Sequence, residues 1–240
     1  DERNWKAFNL ALIPSDLAAV EHDGLSIMRA LREALLNKGL HQFEPNHLAY
    51  IARSFGSFEE EFDPLFDAIQ ADLLRNQEAR LKMIKKPHQL LLLALGFHLK
   101  KTHSAFLARI LASYKTLMHR SDPRQLAMAA NCFISLRDLQ VADGFFESIQ
   151  ARLLDEDIAD FDSVDTHNIL NAYFKILKSE PLLLKILPLF IKFLRKFRTA
   201  DLVHSMIRYQ RMNLDNKKLW HAFEHEITHR GLHTFSPTEL

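Results

Sequence analysis

A recurring spacing of apolar positions divides most of the chain into helical segments. In four segments a Leu is followed by apolar residues at +4 and +7, which is the spacing of one helix face. These sets are Leu48/Ala52/Phe55, Leu90/Ala94/Phe97, Leu126/Ala130/Phe133 and Leu202/Met206/Tyr209, and a fifth segment keeps the spacing at Leu170/Phe174/Leu177. A second apolar stripe follows each set after a short polar break. The pattern predicts paired α-helices that recur along the chain.

Proline marks where most of the first helices of these pairs begin. A Pro stands three residues before a Leu at Pro14, Pro45, Pro87, Pro123 and Pro237. Proline is favoured in the first helical turn, where its missing N–H costs nothing. Asp122 and Ser236 precede two of these prolines as N-caps, and Ser236–Glu239 fits a capping box. We expect helices to begin at these prolines, whereas the fifth unit opens without Pro at Phe161–Asp165.

The spacing of the units predicts the fold class. Successive units start about 38 residues apart. A helix pair of that length cannot bury its own apolar stripe, so neighbouring pairs must stack. We predict an all-α protein, a single α-solenoid of stacked helix-turn-helix repeats over residues 1–240. A degenerate first unit covers 1–42, repeats begin near 43, 85, 121, 161 and 197, and a further repeat begins at 235 and is cut off.

Composition agrees with a helical protein and narrows the chemistry. Six glycines and eight prolines are too few for a turn-dense β fold, and Cys132 stands alone, which excludes an intrachain disulfide or a Cys-rich metal site. No uninterrupted run of about 18 apolar residues occurs, so we expect no membrane insertion. Phosphate-binding loops and the G-x-S-x-G nucleophile elbow are also absent. We therefore predict no cofactor.

One string suggests an enzyme. His225-Glu226-Ile227-Thr228-His229 satisfies the H-E-x-x-H pattern, in which two His hold zinc and the Glu acts as general base. The extended form of the motif fails because Gly231 and His233 come too early, and Arg230-Gly231 fits a helix end. We predict surface or packing histidines in a non-enzymatic protein, with no metal site. A zinc hydrolase using His225, Glu226 and His229 is a remote alternative.

Charge is balanced overall and unevenly distributed. The chain has 31 Lys and Arg against 30 Asp and Glu, a net charge of +1. Residues 75–120 carry +9 and residues 178–211 carry +6, whereas 54–74 carry −6 and 138–165 carry −8. In stacked repeats such blocks become bands of one sign, so local phosphate binding is possible despite the neutral total.

The basic blocks supply candidate RNA-binding residues. Lys and Arg neutralise phosphates and release counterions, and the candidates are Lys85, Lys86, Lys100, Lys101, Lys192, Arg195, Lys196 and Arg198. Base readout needs polar or aromatic residues on one face of successive first helices. The positions five past the anchor Leu offer Arg53 and Asn131, with Tyr173 as a stacking platform in the comparable place. The alternative is that these charges cover solvated helix faces or pair with acidic blocks.

Three stretches carry a family resemblance. WHAFEHEITHRGLHTFSPTEL, from Trp220 to Leu240, resembles the repeat junction of organellar helical-repeat proteins. These are the octotricopeptide and heptatricopeptide group and the repeat regions of FAST-kinase-like and RAP-domain proteins. HQFEPNHLAYIARSF, from His41 to Phe55, and NILNAYFKIL, from Asn168 to Leu177, are similar to that family's first helix. The resemblance covers roughly residues 40–240.

The resemblance implies an α-solenoid acting on mitochondrial or plastid RNA, in transcript maturation, stability or translation, or in the organellar ribosome. We therefore expect a mitochondrial, RNA-associated protein whose partners are an organellar transcript or rRNA and the protein subunits of a ribonucleoprotein complex. The alternative is a protein–protein scaffold with little direct RNA contact, which the near-neutral net charge favours.

Overall fold

The computed structural model describes residues 24–58, 60–175, 180–212 and 216–235, and their regular structure is helical without any strand. The all-α prediction is confirmed for these residues. They contain eleven α-helices: α1 (Gly24–Lys38), α2 (Pro45–Phe55), α3 (Asp63–Glu78), α4 (Pro87–His98), α5 (Ser104–Leu117), α6 (Pro123–Cys132), α7 (Phe145–Asp155), α8 (Ser163–Tyr173), α9 (Glu180–Phe193), α10 (Thr199–Arg211) and α11 (Lys217–Arg230). Short 3-10 turns precede or follow several of them.

The described residues form two compact units, and each unit is built from two separate stretches of the chain. The first unit contains the residues up to Ser121 together with Ser135–Asp143. The second contains Asp122–Ile134 and the residues from Gly144 onward. The first unit therefore holds α1–α5, and the second holds α6–α11.

The helix starts follow the proline prediction. Pro45, Pro87 and Pro123 each occupy the first turn of a helix, α2, α4 and α6. At α6 the predicted N-cap is present, because the side chain of Asp122 accepts a hydrogen bond from the amide of Gln125 at 2.8 Å. Pro14 and Pro237, and the capping box Ser236–Glu239, lie outside the described residues.

The helix that lacks a proline has a side-chain cap instead. The carboxylate of Asp162 accepts hydrogen bonds from the amides of Val164 and Asp165, at 2.7 and 3.0 Å. Asp165 in turn accepts one from the Asp162 amide at 3.1 Å, which completes a capping box. This capping box satisfies amides that have no partner within the helix, so it stabilises the N-terminus of α8 in the absence of a proline.

In the first unit, α2 and α4 pack with their backbones in contact. The predicted stripes of both helices, which begin at Leu48 and Leu90, are buried. A Cβ added at Gly96 in α4 would lie 2.4 Å from the carbonyl carbon and oxygen of Ala52 in α2. A Cβ on Gly56 would lie 2.7 Å from the Gly96 Cα. Only glycine at position 96 permits this approach.

In the second unit, α6 packs against α8, α8 against α9, and α9 against α11. Phe190 of α9 lies in the core that joins them, with its ring centroid 5.1 Å from that of Phe197, 5.6 Å from Tyr209 and 5.7 Å from Phe223. Offset and edge-to-face pairs of this kind stabilise an aromatic core beyond the area they bury. The end of α9 is therefore anchored in the core of the second unit.

Cations from one helix pair bind backbone carbonyls of a neighbouring segment in both units. In the first unit, Lys115 donates to the carbonyls of Val141 and Asp143 at 3.2 and 3.1 Å. In the second, Lys185 donates to the carbonyls of Leu154 and Glu156 at 2.7 and 2.6 Å. Leu154 and Glu156 lie at the C-terminal end of α7, so the Lys185 ammonium satisfies carbonyls that lack a helix partner and favours the helix dipole. The carbonyls that Lys115 binds belong to the 3-10 turn Gln140–Ala142 and the residue after it.

Candidate nucleic-acid interface

Lys100, a predicted phosphate contact, lies inside the first unit. Its side chain is only 7% exposed, and its Nζ lies 2.9 Å from the Asp63 carboxylate. The same Nζ donates to the carbonyl of Phe58 at 2.9 Å and lies over the Phe66 ring at 5.1 Å from its centroid. Because its charge is paired with Asp63 and its ammonium is buried, the prediction of Lys100 as a phosphate contact is wrong.

Other cations of the basic block 75–120 are also occupied. Arg80 forms an ion pair with the buried Asp72 at 2.7 Å and donates to the carbonyl of Phe43. Arg109 pairs with Glu78, and Arg120 donates to the carbonyl of Lys85 at 3.3 Å. The +9 charge of this block therefore overstates what the first unit offers to a ligand.

Lys85 and Lys86 remain available at the turn before α4. Both side chains are exposed, and neither forms an ion pair with any described residue. Lys85 lines a cleft of about 500 Å³ together with Lys82 and the Arg109–Glu78 pair. Lys101 lies in the 3-10 turn Lys101–His103, and its side chain is outside what the structure describes.

The second unit gathers the other four predicted cations, Lys192, Arg195, Lys196 and Arg198, around one turn. The turn, Leu194–Lys196, follows α9 directly. It is anchored by the buried side chains of Leu194 and Phe197 and by Arg230, which donates to the Leu194 carbonyl at 3.0 Å. All four cationic side chains are exposed. We call these residues the turn cluster.

The four members of the turn cluster differ in how far they are neutralised. Arg198 forms an ion pair with Asp201 at 2.8 Å. Burial opposes ionisation of Asp201, but the hydrogen bond from Arg198 and nearby cations outweigh burial and lower the pKa of Asp201. Arg195 lies 3.6 Å from Glu226, longer than a hydrogen bond. Lys192 and Lys196 have no carboxylate partner among the described residues.

The ammonium groups of both lysines lie over the ring of Phe193. The Nζ of Lys192 is 5.1 Å and that of Lys196 is 5.3 Å from the Phe193 ring centroid. The ring is half-buried, so part of its surface is accessible to solvent. An accessible aromatic ring beside two cations is the combination on which single-stranded nucleic acids stack their bases. The sequence analysis missed Phe193, because the residue carries no charge and does not stand out in the apolar spacing.

A cleft of about 350 Å³ lies between α9 and α11. Lys192 and Arg195 line it from one side, and Lys218, His221 and His225 line it from α11. Lys218 did not stand out in the sequence, where it is one of two lysines that follow the N-cap Asn216. Only the packing of α9 on α11 brings its charge to the turn cluster.

The H-E-x-x-H string has a structural role for its glutamate. Glu226 is 4% exposed, and its carboxylate accepts a hydrogen bond from Arg230 Nε at 2.8 Å. His225 and His229 are exposed, with their rings stacked at 6.5 Å between centroids. Within the ranges described, no group of three His, Cys, Asp or Glu side chains is arranged to hold a metal ion. Glu226 thus binds guanidinium groups in this structure.

The predicted base-reading residues are scattered. Tyr173 is fully buried, its hydroxyl donates to the carbonyl of Phe146 at 2.8 Å, and burial raises its pKa. It has no free face for a base, so its assignment as a stacking platform is wrong. Asn131 is half-buried and hydrogen-bonded to Asn168 and Asn171, at 3.0 and 2.6 Å. Arg53 is exposed on α2.

No protein-family model, curated protein or solved structure matches the chain. In the part of the chain that the structure describes, no helix combines the length and the apolar character needed to cross a bilayer. The described residues present two exposed cationic sites, the turn cluster and the Lys85–Lys86 pair.

Proposed function

We propose that this chain is a non-enzymatic, RNA-associated α-solenoid built from helix-turn-helix repeats of about 38 residues. The packing within each unit supports the repeat assignment. Two pairs of first helices from successive predicted repeats are neighbours, α2 with α4 in the first unit and α6 with α8 in the second. Such contacts between equivalent helices are what a stacked array requires.

The turn cluster is the observation that carries the RNA assignment. Lys192 and Lys196 are exposed and unmatched by any described carboxylate, their ammonium groups lie over the ring of the half-buried Phe193, and Arg195 is exposed in the same turn. Phosphate neutralisation by exposed cations and stacking on an aromatic ring are the two contributions that bind single-stranded RNA without a sequence code. With Tyr173 buried and Asn131 hydrogen-bonded internally, we propose binding that depends little on base sequence.

The mitochondrial setting of the proposal rests on the family resemblance alone. It implies a factor for transcript maturation or stability, or a component of the organellar ribosome, within a larger ribonucleoprotein complex. Imaging of the tagged protein in its native cells tests this part separately, and exclusion from organelles would refute it.

RNA binding is tested by titrating the full chain against fluorescent oligouridylate at several salt concentrations. Contacts with phosphates predict an affinity that falls steeply as salt rises, with a slope of about −0.7 per phosphate in a log–log plot. An affinity that is absent, or that does not change with salt, would refute the proposal.

A protein–protein scaffold is the second candidate, and the use of cations within the fold favours it. Lys100, Lys115, Lys185 and Arg230 bind carbonyls or carboxylates of the protein itself, so the exposed basic surface is smaller than the sequence indicates. A salt-independent association with a protein subunit, with no RNA retained, would favour the scaffold over the RNA-binding protein.

A further inference from the structure

We propose that the cleft between α9 and α11 binds a phosphodiester of RNA through Lys192, Arg195 and Lys218. This inference rests on the proposed RNA association and assigns it to one place. All three side chains line the cleft, and all three are exposed. They come from the end of α9, the turn after it, and the first turn of α11.

The charge balance of the cleft is positive at its surface. Glu226 is the carboxylate among the lining residues, and it already receives the Nε–H of Arg230 at 2.8 Å. Arg230 is largely buried, at 15% side-chain exposure, whereas Arg195 on the other side of the carboxylate is 68% exposed. Glu226 is therefore neutralised mainly by Arg230, which leaves the charges of Lys192 and Lys218 and most of that of Arg195 for a ligand.

The geometry of Arg195 suits a phosphate. Its Nε is the atom nearest to Glu226, at 3.6 Å, and its remaining N–H groups have no partner among the described residues. A guanidinium group presents its N–H donors in a planar fork that matches two oxygens of a phosphate. Glu226 thus positions Arg195 at the cleft while its donor groups stay open.

The surroundings favour a phosphodiester of RNA over a carboxylate-bearing peptide. Lys192 lines the cleft and also lies over the Phe193 ring, so an aromatic surface adjoins the anion site. His221 and His225 add two imidazole rings along the α11 wall. A nucleotide offers both a phosphate for the cations and a base for these rings, whereas an acidic side chain offers only the anion.

The test compares two double variants of the full chain. Lys192→Ala with Lys218→Ala removes two charges from the cleft. Arg211→Ala with Lys217→Ala removes two exposed charges from the same unit that do not line it. Each lost phosphate contact is worth about 0.7 of a decade at 0.1 M salt, so the cleft variant should bind oligouridylate about 25-fold more weakly, with a salt slope smaller by about 1.4.

We expect the control variant to keep the wild-type salt slope and most of its affinity. Equal losses in the two variants would overturn the assignment to the cleft while leaving the proposed RNA association intact. A wild-type chain that binds no RNA would overturn both. Competition by polyglutamate as effective as that by RNA of equal charge would overturn the choice of a phosphodiester. Circular dichroism spectra and thermal melts, with Lys192→Gln plus Lys218→Gln as a second cleft variant, exclude a loss caused by unfolding.

Discussion

Replacing Gly96 with Ala tests the backbone contact between α2 and α4. The new Cβ would lie 2.4 Å from the carbonyl carbon and oxygen of Ala52, whereas carbon atoms pack best at about 3.5–4.0 Å. The two helices would have to separate by about 1 Å, and overpacking of this kind costs about 1–3 kcal/mol. We expect the upper end of that range, because the obstacle is main chain and not a movable side chain.

Alanine also stabilises a helix more than glycine does, by about 1 kcal/mol. The net loss in the free energy of unfolding is therefore about 2 kcal/mol, which corresponds to a fall of about 4–8 °C in Tm. Urea and thermal unfolding of the full chain, followed by far-UV circular dichroism, measure it.

The sign of the change decides between two explanations. Helix propensity alone predicts that Gly96→Ala stabilises the protein. An unchanged or increased stability would therefore refute the close packing of α2 on α4. A second variant, Gly96→Ala with Ala52→Gly, should stay unstable, because the nearest atoms belong to the backbone of Ala52 and remain in place. Full recovery in that variant would locate the clash in the Ala52 side chain instead.

Three further predictions follow from single residues. Lys100→Met should lower the free energy of unfolding by about 3 kcal/mol in urea titrations, because it leaves Asp63 without its cation, whereas Lys85→Ala should change it by less than about 0.5 kcal/mol. Burial lowers the pKa of His167 below its ordinary value of 6.5, so the unfolded chain binds a proton at this residue before the folded chain does as the pH falls. The contribution of His167 to the free energy of unfolding should therefore be constant above pH 6.5 and decline below it. In urea titrations over this pH range, His167→Gln should show a smaller decline. Phe193→Ala should weaken oligouridylate binding about tenfold in fluorescence anisotropy with an unchanged salt slope, because it removes stacking and no charge.

The starts and buried faces of the helices could be predicted because local physics determines them. A proline at the first position of α2, α4 and α6 fixes φ near its helical value, and its missing N–H would have no helix partner there. The apolar spacing that begins at Leu48 specifies which face is buried, since only one face of a helix can turn to the core. The same local reasoning identified the N-cap Asp122.

The site could be predicted only in part, because the sequence does not show which charged residues form ion pairs within the fold. Lys100 and Lys192 look equally basic, yet one ion-pairs with Asp63 in the core and the other is exposed on α9. Tyr173 stands at the position where the repeat register places an outward residue, but its hydroxyl reaches the backbone of α7. Lys218 lies at the cleft next to the turn cluster only because α9 packs against α11.

The division of each unit into two stretches of chain has a practical consequence for fragments of this protein. Because Ser135–Asp143 belongs to the first unit, a fragment that ends at Ser121 would deprive Lys115 of both of its carbonyl acceptors. A fragment that begins at Gly144 would lack α6, against which α8 packs. No single cleavage of the chain separates the units intact, so limited proteolysis should release neither unit as a stable fragment on its own.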